Sequence, residues 1–450
     1  MIRFLGQFNF CIFLIFTICY SYQFVFLFYV LAQRLKGKKE EDTVTVKNNR
    51  YAFVTSARNE KNVIGDLIDS IRKQNYPKEL IDIYIIADNC TDNTAEISRQ
   101  KGAFVYERFN KTLIGKGYAL DEFFKHILST KESKKYDGFF IFDADNVLDE
   151  NFTKEMNKVF NKGYNIVTSY RNSRNYGSNW ISAGYALWFL RESKYLSNAR
   201  MLLNTSCAVS GTGFLVRESL IEKNNGWKHH LLTEDIEFSI DSVINGEKIG
   251  YSDGAIIYDE QPITFKQSWN QRLRWSKGFY QVLGKYGGKL VKGIFTSKNN
   301  KFSCFDMFMT ISPAMFITLF SIAVNGGVLI TEMLSSYGNY FLINESINAI
   351  GGSLFRFYIL LFVVGAITTV TEWKNIHTTT FKKIFYTFTF PLFIATYIPI
   401  AIVALFKKVQ WTPIAHGVER QNVIMKQQVW LIEAIVFTVA FCLKLYFTTD

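Results

Sequence analysis

Residues 8–32 carry no charged side chain and are rich in phenylalanine, a run that no water-soluble domain displays on its surface. At about 25 residues it exceeds the ~20 that a bilayer-spanning helix needs. A cleaved signal peptide is the alternative, but the run is too long for one and lacks a small-residue cleavage site. A retained span is therefore expected. Arg34, Lys36, Lys38 and Lys39 follow it while Arg3 alone precedes it, and the positive-inside bias then puts the next domain in the cytosol. Apolar stretches return at 305–331, 354–371 and 384–406, with a weaker one at 429–447 that contains Glu433 and Lys444. If the first three all span, Lys407 and Lys408 land outside, against the same bias. One stretch is thus expected to be interfacial or re-entrant, and 384–406, with Pro391 and Pro399, is the candidate.

The excess of apolar residues, 48% against 20% charged, is concentrated in these ends. A formal net charge of +12 suits a chain lying against an anionic inner leaflet, where each nearby basic residue adds ~1 kcal/mol of attraction. Nucleic acid is not expected as a partner: the aromatic residues are in the apolar stretches and no nucleic-acid motif is recognisable. The cysteines form no CxxC pair and have no histidine cluster beside them, so neither structural zinc nor a disulfide framework is expected. The organisation read from these features is an N-terminal transmembrane helix (1–33), a basic cytosolic linker (34–50), a cytosolic domain ending in an interfacial helix (51–290), and transmembrane and interfacial helices (291–450).

From Tyr51 onward short apolar strands alternate with amphipathic helices, the pattern of an α/β domain with a parallel sheet covered on both faces. The first strand, Tyr51–Ser56, stops at Arg58-Asn59-Glu60. The next, Ile81–Ala87, delivers Asp88 at its carboxyl end, and Phe139–Phe142 delivers Asp143 in the same way. Ligands of open α/β sheets bind outside the carboxyl ends of strands, so these acids point to one crevice. No GxGxxG or Walker loop follows either strand, which argues against dinucleotide or ATP chemistry.

Asp143 and Asp145 flank one small residue, and alternate residues of an extended segment face the same way. Two such carboxylates suit a hard divalent cation that also bridges substrate phosphates; a solvated acidic turn with Asn146 and Asp149 is the other reading. Asp88 opens Asp-Asn-Cys-Thr-Asp-Asn-Thr, in which Thr91 and Asp92 are read as helix caps and Asp88 as a ligand for a base or ribose. Lys116 follows a glycine before a short helix and is either a phosphate or base contact or a solvated lysine. Thr233-Glu234-Asp235 precedes an amphipathic helix whose dipole favours the anion at its amino end, which suits a base; a plain cap is the alternative. Gln271, Arg274 and Trp275 share one helix face, with Arg272 further round. Arginine grips phosphate oxygens and a flat indole stacks on a pyranose, although a basic helix with Trp269 and Trp275 anchored at the membrane surface reads the same residues differently. Ser210-Gly211-Thr212-Gly213, before the strand Phe214–Val216, is a glycine turn or a place of close backbone approach.

Taken together, these motifs resemble the membrane-integrated family 2 glycosyltransferases, the group of cellulose, chitin and hyaluronan synthases. The resemblance runs motif by motif over about 51–290. It implies a GT-A, Rossmann-type nucleotide-sugar domain set between transmembrane helices, a UDP-sugar donor and inverting hexosyl transfer. Carried onto this chain, it implies that Asp88 contacts uridine, Asp143 the nucleotide, and Asp145 a divalent cation, Mg2+ or Mn2+. It assigns the general base to Asp235 within Thr233-Glu234-Asp235, and the diphosphate and acceptor helix to Gln271, Arg274 and Trp275, with Arg272 beside them. Arg58, Asn59, Glu60, Lys116 and the Ser210–Phe214 turn are further matches. Trp411–His416 resembles the tryptophan-containing loop that follows the spans in related synthases. The expected activity is processive polysaccharide synthesis at the plasma membrane, with a polysaccharide or glycolipid acceptor, and any partner subunit is left open. A single sugar added to a lipid-linked acceptor, and a non-catalytic nucleotide-binding scaffold, are the alternatives.

Overall fold

The computed structural model describes residues 2–37, 46–335 and 338–410. The readings made for Lys38 and Lys39, for Trp411–His416 and for the stretch 429–447 lie outside the described residues. Among the described residues, eight strands form one sheet: β1 Tyr51–Ala57, β2 Ile81–Asp88, β3 Phe104–Arg108, β4 Gly138–Asp143, β5 Val147–Leu148, β6 Ile166–Ser173, β7 Phe214–Arg217 and β8 Ile249–Asp259. Their order across the sheet is β3-β2-β1-β4-β7-β6-β8-β5. Side chains alternate between faces, so β1 feeds two cores at once. Tyr51 and Phe53 pack with Ile64, Leu67, Ile68 and Ile71 on one face. Ala52 and Val54 pack with Leu120, Phe123 and Phe124 on the other. Burial on both faces is why these strands read as unbroken apolar runs.

The expected parallel sheet needs correcting. β1, β2, β3 and β4 are parallel, but β7 runs antiparallel to both β4 and β6, and β5 runs antiparallel to β8. The consequence is positional. An antiparallel strand starts where its parallel neighbours finish, so the loop before β7, residues 206–213, enters the crevice at the carboxyl ends of β1, β2 and β4; the Gly213 N–H donates to the Ile141 carbonyl at 2.9 Å.

Among the described residues, four helical segments are long and apolar enough to cross a membrane: Arg3–Lys36, Phe316–Leu334, Tyr340–Thr371 and Thr380–Phe406. In the fourth, 44% of the most apolar window is buried within the protein, against 11% or less in the others. It breaks at Thr396 into Thr380–Ala395 and Tyr397–Phe406. Both ends rest on the sheet domain and its long helix Phe265–Thr296: Lys382 Nζ donates to the Gly177 carbonyl at 2.7 Å and Lys277 Nζ to the Ala404 carbonyl at 3.0 Å. This proline-containing stretch, the one expected to be irregular, thus lies along the domain and does not lead away from it.

The stretch 305–331, continuous by hydropathy, is two helices, Lys301–Ile311 and Pro313–Leu334, because Ser312 leaves helical geometry ahead of a proline that has no N–H to give. The first of them is held to the sheet domain by charge. Arg200 Nε and Nη2 reach Asp306 Oδ2 and Oδ1 at 2.7 and 3.0 Å, and the hydroxyl of Tyr22 in the N-terminal helix donates to the same carboxylate at 2.8 Å. Arg200 is 2% exposed and Asp306 0%.

Candidate active site

The carboxyl end of β4, the amino end of helix Lys116–Ser129, the amino end of helix Glu234–Ile244 and the third turn of Phe265–Thr296 converge outside the sheet. Lys116 Nζ lies 2.5 Å from Asp143 Oδ1 and 2.9 Å from the Gly211 carbonyl. Burial works against its charge, but Asp143, Glu234 and Asp235 hold the ammonium above the usual lysine range. Glu234 is pushed up by burial and by Asp235, with Lys116 and Arg274 pulling the other way. Burial also lifts Asp235 above the ordinary carboxylate range, against backbone hydrogen bonding at Ile236 and the Lys116 charge. The helix dipole, which by itself favours the anions, is therefore outweighed by desolvation. Lys116, Asp143, Glu234, Asp235 and Arg274 form one electrostatic cluster, drawn from four separate elements.

The glycine turn is a wall of this cluster. Gly211 has φ +79°, in the left-handed region, and a side chain there would lie within 4 Å of Arg171 Nη1 and Asp235 Oδ2. Its absence leaves backbone facing Asp235. Next to it the Thr212 hydroxyl accepts the Asp143 N–H at 2.9 Å and donates to Asn146. Asp145 is buried and accepts from the Glu260 N–H and from Asn146 Nδ2, both at 3.3 Å. Among the described residues no group of three or more His, Cys, Asp or Glu side chains could hold a metal by itself. An all-oxygen pair of carboxylates at a strand end fits a hard cation that completes its coordination with substrate phosphates.

Asp88 is 3% exposed, and its carboxylate takes Arg108 Nη1 at 2.7 Å and Asn89 Nδ2 at 2.8 Å. Arg58 Nε donates to the Asp88 carbonyl at 3.1 Å, so the first-loop match sits over the end of β2. Asn59, at φ +60°, accepts the Thr91 N–H at 2.8 Å, and the Glu60 N–H donates to Thr94 Oγ1 at 2.8 Å. Of the two residues read as caps, Asp92 accepts the Thr94 N–H at 3.0 Å, while Thr91 bonds to Asn59.

On the long helix Gln271, Arg274 and Trp275 are half-buried along one face, and Trp275 meets Tyr185 and Phe189 edge-on at 5.7 and 6.3 Å. Arg272 needs correcting as a substrate contact. It is fully buried, donates to the Phe393 carbonyl at 3.1 Å and to Thr396 Oγ1, and lies over the Phe393 ring at 4.4 Å. A hundred degrees of helical rotation from Gln271 turns it away from the cluster and onto the break at Thr396.

Two residues of the site were not foreseen. Arg171, on β6, donates from Nε to Asp259 Oδ2 at 2.7 Å and from Nη1 to the Ser210 carbonyl at 2.9 Å, with its guanidinium 3.6 Å above the Phe189 ring. Asp143 and Asp259 both hold it above the usual arginine range, against burial. The available signal was a lone arginine in a strand otherwise rich in buried residues, since buried charge is kept only when paired.

The family model described as glycosyltransferase like family 2 matches residues 48–278, more than half of the chain. The chain belongs to the family 2 glycosyltransferases. Relatives of this transferase include the probable glycosyltransferase YdaM of Bacillus subtilis, 25% identical over 306 residues that cover 63% of this chain and 66% of that one. The poly-beta-1,6-N-acetyl-D-glucosamine synthase of Staphylococcus epidermidis is 28% identical over 244 residues, 52% of this chain and 55% of its own. The matches thus span between about half and two thirds of the length of these relatives. Among solved structures, the mannosyltransferase PcManGT from Pyrobaculum calidifontis, in complex with GDP-Man and Mn2+, aligns with a TM-score of 0.51 at 14% identity, over 90% of this chain and 99% of that one. At that identity the likeness establishes the GT-A fold.

The raised carboxyls give the transferase a pH signature. Glu234 is held above its unfolded value, so its contribution to stability is complete below the ordinary carboxylate range and is lost as pH rises through the folded value. Glu234→Gln fixes the neutral form. Its melting temperature is expected to match that of the parent near pH 5 and to exceed it by roughly 2–4 °C at pH 8, read by differential scanning fluorimetry in one detergent. A variant less stable at pH 8 than its parent contradicts this.

Proposed function

We propose that this transferase moves a hexosyl group from a UDP-sugar to the hydroxyl of a growing polysaccharide, with inversion, at the cytosolic face of the plasma membrane. The observation that carries the reading is the meeting of Lys116, Asp143, Glu234, Asp235 and Arg274 in one buried cluster at the carboxyl end of the sheet. Asp235 is the base: it takes the acceptor hydroxyl proton as that oxygen attacks the anomeric carbon opposite the diphosphate. The bond from the anomeric carbon to the diphosphate oxygen breaks, and its electron pair leaves with UDP. Arg274 and Lys116 supply positive charge where the leaving diphosphate gathers negative charge, a preorganised contribution that needs no reorientation during the reaction. Asp143 and Asp145 would hold a divalent cation, Mg2+ or Mn2+, which supplies Lewis-acid stabilisation to the same diphosphate. Asp88, with Arg58, Asn59 and Glu60 around it, serves the uridine end, and Gln271 and Trp275 the sugar and acceptor.

The membrane layout proposed with this function is multi-pass. Residues 1–33 span, 34–50 form the cytosolic linker and 51–290 the catalytic domain with its interfacial helix. Two further spans follow, and Thr380–Phe406 lies at the interface. Trp275 packs edge-on against Tyr185 and Phe189, and Tyr185 against Phe393 of that segment, so aromatic contact joins the long helix to it.

UDP release by the full chain in nanodiscs, measured across a panel of UDP-sugars with Mg2+ or Mn2+ and followed by sizing of the product, tests the proposal. Turnover of one donor into long product, abolished by chelation, is expected. Single-sugar products point to a lipid-linked acceptor instead, and UDP binding without consumption of any donor points to a scaffold.

A further inference from the structure

The stripe that carries Gln271 and Arg274 continues up the long helix as Gly278, Gln281 and Lys285, at steps of three and four that keep one face. Gly278 and Gln281 touch the segment that leads into Asp235, and Lys285 touches the helix that carries it. A side chain at Gly278 would overlap Thr233. Gln281 Oε1 accepts the Leu232 N–H at 3.3 Å. Lys285 Nζ lies 2.6 Å from Glu237 Oε1, which the Tyr286 hydroxyl also reaches at 3.1 Å. The other oxygen of Glu237 accepts two backbone N–H groups, of His230 and Leu231, each at 2.9 Å.

Glu237 is 0% exposed, one turn into the helix that begins with Glu234 and Asp235. Thr233, at the cap position of that helix, makes no capping bond with its side chain. The work of fixing the helix entry falls instead to Glu237, whose carboxylate reaches back past Asp235 to His230 and Leu231 in the loop ahead of the cap. A buried carboxylate with four donors is strongly localised, because every alternative position leaves a charge without partners in a low-dielectric setting.

We propose that Glu237 is a positioning residue for the transfer reaction, setting the place of Asp235 relative to Arg274 by clamping the 230–233 loop to the long helix. The proposal rests on the reading of Asp235 as the base. One rigid helix then fixes both the diphosphate-binding guanidinium and, through Lys285, Tyr286 and Glu237, the proton acceptor. Glu237 touches no reacting atom; its effect is on distance and angle, to which near-attack geometry is steeply sensitive.

The test is steady-state kinetics of the full chain in nanodiscs, with UDP binding by calorimetry alongside. Glu237→Ala is expected to lower kcat by about 10²-fold while the donor KM and the UDP affinity stay at parental values. Glu237→Gln is expected to recover only part of that loss, since its amide oxygen still accepts from the His230 and Leu231 N–H groups while its NH2 faces the Lys285 ammonium. An unchanged kcat in Glu237→Ala overturns the proposal. So does a parallel loss of kcat and UDP affinity that Glu237→Gln does not relieve, the mark of general damage. If Glu237→Ala does not fold, the pair Lys285→Met and Tyr286→Phe keeps the backbone bonds and removes the clamp; lowered kcat with intact UDP binding supports the proposal and unchanged kcat overturns it. Asp235→Asn separates the two readings. If it keeps turnover, the base assignment falls and takes this proposal with it; if it is inactive while Glu237→Ala is unimpaired, the clamp alone falls.

Discussion

Asp235→Asn is expected to hold its fold, bind UDP and lose turnover by about 10² to 10⁴-fold, the range for removing a general base. The amide has nearly the volume of the carboxylate but cannot take a proton from an attacking hydroxyl. Because Asp235 is buried and its carboxyl is lifted above the ordinary range, the neutral amide also removes a charge that the fold disfavours. Its melting temperature should therefore not fall. The same lifted carboxyl predicts that the acid limb of the parental pH–rate profile lies above the range of an exposed aspartate, with activity rising as pH passes through it. Burst and steady-state UDP release, with UDP affinity measured separately, give the answer. Retention of more than about a tenth of parental turnover removes Asp235 from the role of base.

The second large effect is on stability. Asp306→Ala leaves Arg200, 2% exposed, with no carboxylate, and removes the acceptor of the Tyr22 hydroxyl. Breaking one side of a buried pair costs about 3–5 kcal/mol, chiefly through the charge left behind. Three parts of the molecule meet here, the N-terminal helix, the sheet domain and Lys301–Ile311, so the loss should appear as a large fall in the melting temperature of the full chain. Arg200→Met with Asp306→Leu, which removes both charges together, is expected to be much milder, because well-packed apolar pairs often replace buried ion pairs at little cost. A single variant as stable as its parent would show that water reaches the pair.

Much of the site was legible because each relevant strand is an apolar run closed by an acid, Asp88 ending β2 and Asp143 ending β4, and the register of the parallel strands brings those ends to one edge. Glu234 and Asp235 were legible as a helix start. Strand direction was not: apolar alternation is the same for β7 read either way, and only the pairing with β4 and β6 fixes it. Arg171 and Asp259 lie on different strands, far apart in sequence, and nothing local marks one as the partner of the other. Arg272 was grouped with its neighbours because they share a short motif, while the helix turns it toward Phe393. Hydropathy joined 305–331 because one serine before Pro313 hardly alters a window average and because the partner that pays for Asp306 lies a hundred residues away.

The core on one face of the sheet takes in Tyr386, Phe390, Phe393 and Ile394 from the broken segment after the third long helix, side by side with Tyr185 and Leu187. The family match ends at 278. The stretch matched by the family model is therefore shorter than the stretch that must be present for this face to be covered. A chimera joining 48–278 to a foreign anchor, or a truncation made at that boundary, would expose a contiguous aromatic face and would be expected to aggregate. Portability in this enzyme belongs to the domain together with its returning helical segment.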